Sequence, residues 1–231
     1  MMDAVALVAG ASSDIGKAIT IGLVRAGAYV LALGRNSTKL AQVAAENSQC
    51  IDPVVADLTR GADIVAVRER VSRRGRLDML VLGSGIYERS SDPEGLARQF
   101  AANVQGPYAL LEAMLPRLVN SKGLVVFINS TQGLAASPGV GHYAATQHAM
   151  RALADSTRQE YNSKGIRVTS VFLGRTATAR QEAIFSLEQR SYKPETLIQP
   201  GDIAGVIVSL AELPQTAEIT EIAMRPRLKS Y

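Results

Sequence analysis

Ser130, Tyr143 and Gln147 are the residues whose types and spacing suit chemistry. The segment Val125-Val126-Phe127-Ile128-Asn129-Ser130 is an apolar run that ends in a hydroxyl, and His142-Tyr143-Ala144-Ala145-Thr146-Gln147 follows it. The first stretch reads as a buried strand. The second reads as a helix with Tyr143 and Gln147 on one face, because helical residues four apart are neighbours. Tyr143 could give a proton to a substrate oxygen. Ser130 could donate to or accept from the same oxygen.

The elements that must position these groups alternate along the chain. Apolar runs rich in Val, Ile and Leu recur at 4–9, 28–34, 51–56, 77–83, 123–129, 166–173 and 218–224. Runs without polar alternation predict strands buried on both faces, as in parallel sheets. Helical patterns lie near 15–27, 37–46, 61–73, 94–119, 142–163 and 200–212, with Pro93, Pro116 and Pro200 read as marking helix ends. This alternation predicts a Rossmann-type doubly wound α/β sheet with helices on both faces, formed by residues 1–231 as one domain. Right-handed crossovers then put ligand loops at the carboxyl ends of the strands. The polar stretch 174–199, carrying Arg175, Arg180 and Arg190 around Ile184, Phe185 and Leu187, reads as a lid over the site or as a surface helix.

A nucleotide site is expected where the first strand meets the first helix. The turn Gly10-Ala11-Ser12-Ser13-Asp14-Ile15-Gly16 follows Val5–Ala9. Gly10 permits a tight turn and Gly16 a close helix–strand approach, and the helix N-terminus offers N–H groups to a pyrophosphate. Ser12, Ser13 and Ile15 belong to this cofactor-binding turn. The second strand ends in Gly34-Arg35-Asn36, with no acid to hold a bare ribose. The Arg35 guanidinium can instead grip a 2′-phosphate, so NADP is expected rather than NAD.

These residues together resemble the short-chain dehydrogenase/reductase family. The first turn is similar to that family's Thr-Gly-x-x-x-Gly-x-Gly pattern, with Ala9 for Thr and Asp14 for the middle Gly. Asp57-Leu58 resembles the Asp-Leu pair beside the adenine ring. Gly83-Ser84-Gly85 stands near the usual Asn-Asn-Ala-Gly, with both asparagines absent but backbone still free to approach a cofactor. Asn103 resembles the helix asparagine that organises a water between backbone and Lys. Leu173 takes the place of a proline, while Gly174 and Thr178 fit the turn near the nicotinamide amide. Glu221-Ile222-Ala223-Met224-Arg225-Pro226 resembles the terminus of an NADP-using branch that includes serine and 3-hydroxy acid dehydrogenases. The resemblance implies Ser130, Tyr143, Asn103 and position 147 as the catalytic set, and Gly10, Ser12, Ser13, Ile15, Gly16, Arg35, Asp57, Leu58, Gly83, Gly85, Gln147 and Thr178 as cofactor contacts, with no metal. It also implies that the helices at 94–119 and 142–163 pair across a two-fold axis, in homodimers or homotetramers.

The departure lies at Gln147, where the family has Lys. That ammonium lowers the Tyr pKa and binds the nicotinamide ribose. One charge about 4 Å away at an effective dielectric near 20 is worth ~4 kcal/mol, roughly three pKa units. Gln147 can bond a ribose hydroxyl but supplies no such field. Carbonyl reduction needs a protonated Tyr, the ordinary form near neutrality, whereas alcohol oxidation needs scarce phenolate. His142, His148 and Arg151 are candidate substitute cations, but Arg151 is roughly 12 Å along the helix from Tyr143.

Composition narrows the remaining classes. The chain has 231 residues, 47% of them apolar, and a net charge of +4. The clusters Arg68, Arg70, Arg73, Arg74, Arg76 and Arg225-Pro226-Arg227-Leu228-Lys229 lack interleaved aromatics, apart from Tyr231, so nucleic acid is not expected as a partner. One cysteine, Cys50, precludes an internal disulfide and fits a reducing compartment. The N-terminus lacks a signal-peptide pattern and no stretch approaches ~20 apolar residues, so a cytoplasmic protein without a membrane partner is expected. The leading expectation is an NADP(H)-dependent oxidoreductase that reduces a small-molecule carbonyl or oxidises an alcohol. A catalytically silent dinucleotide-binding sensor or partner subunit is the alternative, and an isomerase or dehydratase on the same scaffold is a third.

Overall fold

The computed structural model describes residues 2–89 and 92–228. Seven parallel strands form one sheet in the order β3-β2-β1-β4-β5-β6-β7. They are β1 (Val5–Ala9), β2 (Tyr29–Gly34), β3 (Ile51–Val55), β4 (Met79–Leu82), β5 (Leu124–Ser130), β6 (Arg167–Leu173) and β7 (Glu221–Met224). β1, β4 and β6 are buried at every position, β1 and β4 with uninterrupted apolar sequences and β6 with Arg167, Thr169 and Ser170 buried among apolar residues, whereas the edge strands β3 and β7 carry half-buried and exposed positions. One sheet face packs against α1 (Asp14–Arg25), α2 (Ser37–Ala45) and α8 (Pro200–Glu212), through Ile19, Leu23, Leu40, Ile203 and Ile207. The other packs against α3 (Gly61–Ser72), α5 (Gly106–Ser121) and α6 (Gly141–Tyr161), through Val67, Leu111, Met114, Met150 and Ala154. The doubly wound α/β expectation therefore holds.

Two helix expectations are corrected. The helix expected over 94–119 is broken into α4 (Pro93–Phe100), a π-helical turn at Ala101–Gln105, and α5. Pro116 lies inside α5 and does not end it. Its ring removes one helix hydrogen bond, but Leu115 and Leu118 on either side remain buried against the sheet and carry the helix past it. The other two prolines behave as read, since Pro93 and Pro200 both open helices.

The remaining surface features follow from local pairing. Arg70 grips Asp52 with two bonds of 2.9 and 2.7 Å, and Arg74 stacks on Tyr29. The first basic cluster is thus partly paired along α3. Lys229 and Tyr231 of the second lie outside the described residues. Within 174–199 the chain forms α7 (Ala179–Leu187), returning to the body through a bridge between Thr176 and Ile198. Among the described residues no helix is long and apolar enough to cross a membrane.

β1 and β4 are neighbours, and from them the chain winds to opposite sides of the sheet. A crevice opens at such a switch point. Its floor is set by close backbone contact. Gly10 has φ of +90°, and a Cβ on Gly16 would stand 2.1 Å from the Gly10 carbonyl oxygen. Helix propensity alone predicts that Gly16→Ala stabilises the fold by about 1 kcal/mol. The contact predicts the opposite, a loss of about 1–3 kcal/mol as backbone is forced apart. A thermal melt should show the midpoint falling by several degrees; a rise would show that the turn has slack.

Candidate active site

The crevice is a cleft of about 750 Å³ along the carboxyl ends of the strands. It is lined by all the residues of the expected catalytic and cofactor-contact sets: Gly10, Ser12, Ser13, Ile15, Gly16, Arg35, Asp57, Leu58, Gly83, Gly85, Asn103, Ser130, Tyr143, Gln147 and Thr178.

One end is built on the first turn of α1. Ser13, not Asp14, caps the helix, accepting from the Gly16 amide at 3.1 Å. Asp14 is exposed at the cleft, but it does not simply face solvent. Its carboxylate accepts the Ala179 amide at 2.9 Å and so joins the glycine turn to the N-terminus of α7. Asp57 accepts from the amide and hydroxyl of Thr59, which together hold its carboxyl below the usual range against the opposing effect of burial. Arg35 adds to that lowering and is exposed at the cleft edge beside Lys39, a second cation that the sequence reading missed.

A dinucleotide fits this end. At the first turn of a helix, amide donors lack intrahelical acceptors, and Asp14 and Ile15 line the cleft there. The Gly10–Gly16 contact leaves no space for side chains that would fill the phosphate cradle. Across it, the buried Ser84 hydroxyl in the cleft wall has no partner among the described residues. Arg35 and Lys39, to which no carboxylate is bonded among the described residues, complete a donor set suited to an anion.

At the other end, Ser130 closes β5 and Tyr143 and Gln147 rise from α6. Asn129, buried and missed in the sequence, fixes their relation. Its side chain accepts from the Ser130 amide at 2.7 Å and donates to the Gln147 carbonyl at 3.0 Å. The Ser130 hydroxyl oxygen accepts the Gln132 amide at 3.2 Å, and Ser130 shares the cleft wall with Tyr143, whose ionised form it favours. Tyr143 is half-buried in the cleft, and desolvation there pushes its phenol above its ordinary pKa. Arg180 and the Ser130 hydrogen bond oppose that rise, and Tyr87 adds weakly to it. The Tyr87 and Tyr143 rings meet edge to face at 5.2 Å.

Asn103 sits in the π-helical turn, which rotates its side chain into the gap between two walls of the cleft. It accepts the Ile86 amide at 2.7 Å and donates to the Ile86 carbonyl at 2.9 Å and the Thr146 hydroxyl at 3.1 Å. Thr146 in turn receives the Gln147 side-chain amide at 3.3 Å. Asn103 therefore ties the loop after β4 to α6 directly.

The substitute cations weighed from sequence are placed elsewhere. Arg151 pairs with Glu221 at 3.1 Å, and the His148 ring contacts the Ala144 carbonyl on its own helix. His142 interacts with Asp92. Arg175 and Arg180 line the cleft instead, Arg175 paired with Glu188 at 2.8 Å. The only sign of them in the sequence was the polar character of 174–199.

The model of the short chain dehydrogenase family matches residues 4–189. An uncharacterized short-chain type dehydrogenase/reductase of Sinorhizobium fredii is 31% identical, covering 96% of this chain and 91% of the relative. An uncharacterized oxidoreductase of Staphylococcus saprophyticus is 27% identical over 98% of both chains. Among solved structures, a metagenomic short-chain oxidoreductase in complex with NADP superposes with a TM-score of 0.84 at 28% identity, covering 98% of this chain and 99% of that one. The closed form of serine dehydrogenase complexed with NADP+ shares the fold, with a TM-score of 0.88 at 22% identity over 98% of this chain and 96% of that one. The fold, the order of the cleft-forming turns and these matches agree: this chain belongs to the short-chain dehydrogenase/reductase family of oxidoreductases.

Proposed function

We propose that this protein is an NADP(H)-dependent carbonyl reductase of small molecules, with Gln147 standing where the family has its active-site Lys. The observation that carries the reading is the convergence of Tyr143 and Ser130 on one cleft with the glycine turn and Arg35, where desolvation holds the phenol above its ordinary pKa. The first turn of α1 together with Arg35 and Lys39 would hold the reduced cofactor, which would supply a hydride to the carbonyl carbon. Tyr143 gives its proton to the carbonyl oxygen as the C=O bond becomes an alcohol. Ser130 holds that oxygen by hydrogen bonding, and Asn129 holds Ser130. Gln147 binds ribose through its amide without adding charge. Asn103 acts as a positioning residue through Ile86 and Thr146. The segment 174–199 covers the substrate end as a lid, with Thr178 at the first turn of α7.

The reading prefers reduction. A phenol with a raised pKa is protonated throughout the neutral range, so the acid form is present at pH 7 and is lost only as pH climbs past that raised value. Alcohol oxidation needs the phenolate and should grow with pH over the same interval. The NADP assignment rests on Arg35 and Lys39, with no free acid at the end of β2. The NADP-bound metagenomic oxidoreductase is a relative compatible with it. The helices α5 and α6 are assigned to pairing between copies of the chain, in a homodimer or homotetramer.

Three outcomes are expected. In calorimetry NADPH should bind at least about tenfold tighter than NADH, a difference of about 1.4 kcal/mol, and Arg35→Ala should remove most of that gap by deleting a charge-assisted contact. Equal affinities that the substitution leaves unchanged would remove the NADP assignment. In assays over a carbonyl panel, Tyr143→Phe should abolish reduction, while Gln147→Lys should raise oxidation more than reduction and shift the oxidation profile to lower pH. Brisk oxidation at pH 7 by the natural chain would contradict the reduction bias. Light scattering at micromolar concentration should give a dimer or tetramer mass, and a monomer mass would exclude the assembly.

A further inference from the structure

Gln147 brings no charge to the catalytic end of the cleft, and Arg151 and the histidines are engaged elsewhere. One cation nonetheless stands across from Tyr143. Arg180 lies in the first turn of α7 and lines the same cleft as Tyr143, Ser130 and Gln147. Its guanidinium donates to the Gly85 carbonyl at 2.8 Å. Gly85 precedes Ile86, which Asn103 fastens to α6, and Tyr87 follows, with its ring against Tyr143. Arg180 is therefore anchored on the short stretch of backbone that walls the Tyr143 ring.

Its partner is a neutral carbonyl. Arg175 and Arg89 are both bonded to Glu188, whose carboxylate offsets their charge, whereas among the described residues no carboxylate pairs with Arg180. The arm that carries Arg180 is fixed at its root. The Asp14 carboxylate accepts the Ala179 amide, and the Arg89–Glu188 pair at 2.9 Å closes the other end of α7.

We propose that Arg180 is the active-site cation of this protein, supplying from α7 the positive field on Tyr143 that position 147 does not. The proposal rests on the reductase reading of the site. It deepens that reading by giving the charge to the segment above the cleft and not to the tyrosine's own helix. The charged or titratable groups facing the Tyr143 hydroxyl are Arg180 from α7 and Tyr87 from the loop after β4; Ser130 from β5 and Gln147 from α6 are neutral. Arg180 opposes the effect of burial on the phenol. Because Arg180 is exposed at the cleft mouth, water screens its field in the free protein. Filling the cleft would exclude that water and strengthen the field.

The test reads Tyr143 ionisation directly on the full-length protein, without needing a substrate. Stopped-flow pH jumps record phenolate absorbance before alkaline unfolding begins, and the difference between the natural chain and Tyr143→Phe isolates Tyr143. In Arg180→Gln the Tyr143 transition should move up by about one pH unit, the lower end of what a nearby opposite charge provides. Arg180→Lys should stay close to the natural chain. A transition that does not move in Arg180→Gln overturns the proposal. Arg180 has a single bond to a loop carbonyl, so both variants should keep the natural melting temperature. The second arm uses an uncharged pair, cyclohexanone with NADPH and cyclohexanol with NADP. Oxidation by Arg180→Gln should be about tenfold slower at each pH on the rising limb, and Arg180→Lys should keep the natural rate. If Arg180 instead served to bind a substrate carboxylate, neither the titration nor the uncharged pair would respond, and the proposal would fall. A shifted titration without turnover by any chain would leave the proposal standing and remove the reductase reading.

Discussion

Burying the Tyr143 hydroxyl where β5 meets α6 makes its ionised form costly, because a phenolate removed from water must find its stabilisation in fixed neighbours. Ser130 provides one such neighbour and Arg180 another. Each is in turn held by the backbone: Ser130 through Asn129 and the Gln132 amide, Arg180 through Gly85 and the Asp14–Ala179 bond. Asn129 and Asn103 each reach α6 from a different neighbouring element. Removing either asparagine would leave buried amide or carbonyl groups unpaired, at about 1–3 kcal/mol apiece. The polar network is thus a structural necessity as well as a positioning device.

The two ends of the cleft use the same strategy. At the glycine turn, close approach of backbone to backbone excludes side chains and leaves helix N–H groups facing the cleft, the surface proposed to hold the cofactor. At the catalytic end, small polar side chains are pinned so that a hydroxyl and a phenol converge. Asp14 links the ends, since the residue that follows the Ser13 cap also holds the root of the segment carrying Arg180.

Much of this was legible in the sequence, for physical reasons that differ between elements. The central strands announce themselves because they are buried on both faces and tolerate no polar alternation. The glycine turn was readable because its neighbours in sequence are also its neighbours in space. The break at Ala101–Gln105 was not, because Asn103 is drawn inward by Ile86 and Thr146, residues remote in the chain. Pro116 misled because burial of Leu115 and Leu118 outweighs one lost helix bond. Arg180 was beyond reach for a related reason: its anchor, Gly85, is 95 residues away, and nothing local in 174–199 says which arginine enters the cleft. Local pattern fixes elements, whereas charge placement depends on contacts between elements.

The claim that joins these features is that the cleft delivers hydride and proton to one carbonyl, with Tyr143 as proton donor. Deuterium transfer tests it most directly and tolerates slow turnover. NADPH carrying deuterium on the nicotinamide carbon is incubated with a panel of prochiral ketones, and the alcohols are analysed by mass spectrometry. The natural chain should place one deuterium on the carbinol carbon of a single enantiomer, and Tyr143→Phe should place none. Tight NADPH binding with no label in any alcohol, or equal labelling by Tyr143→Phe, would contradict it.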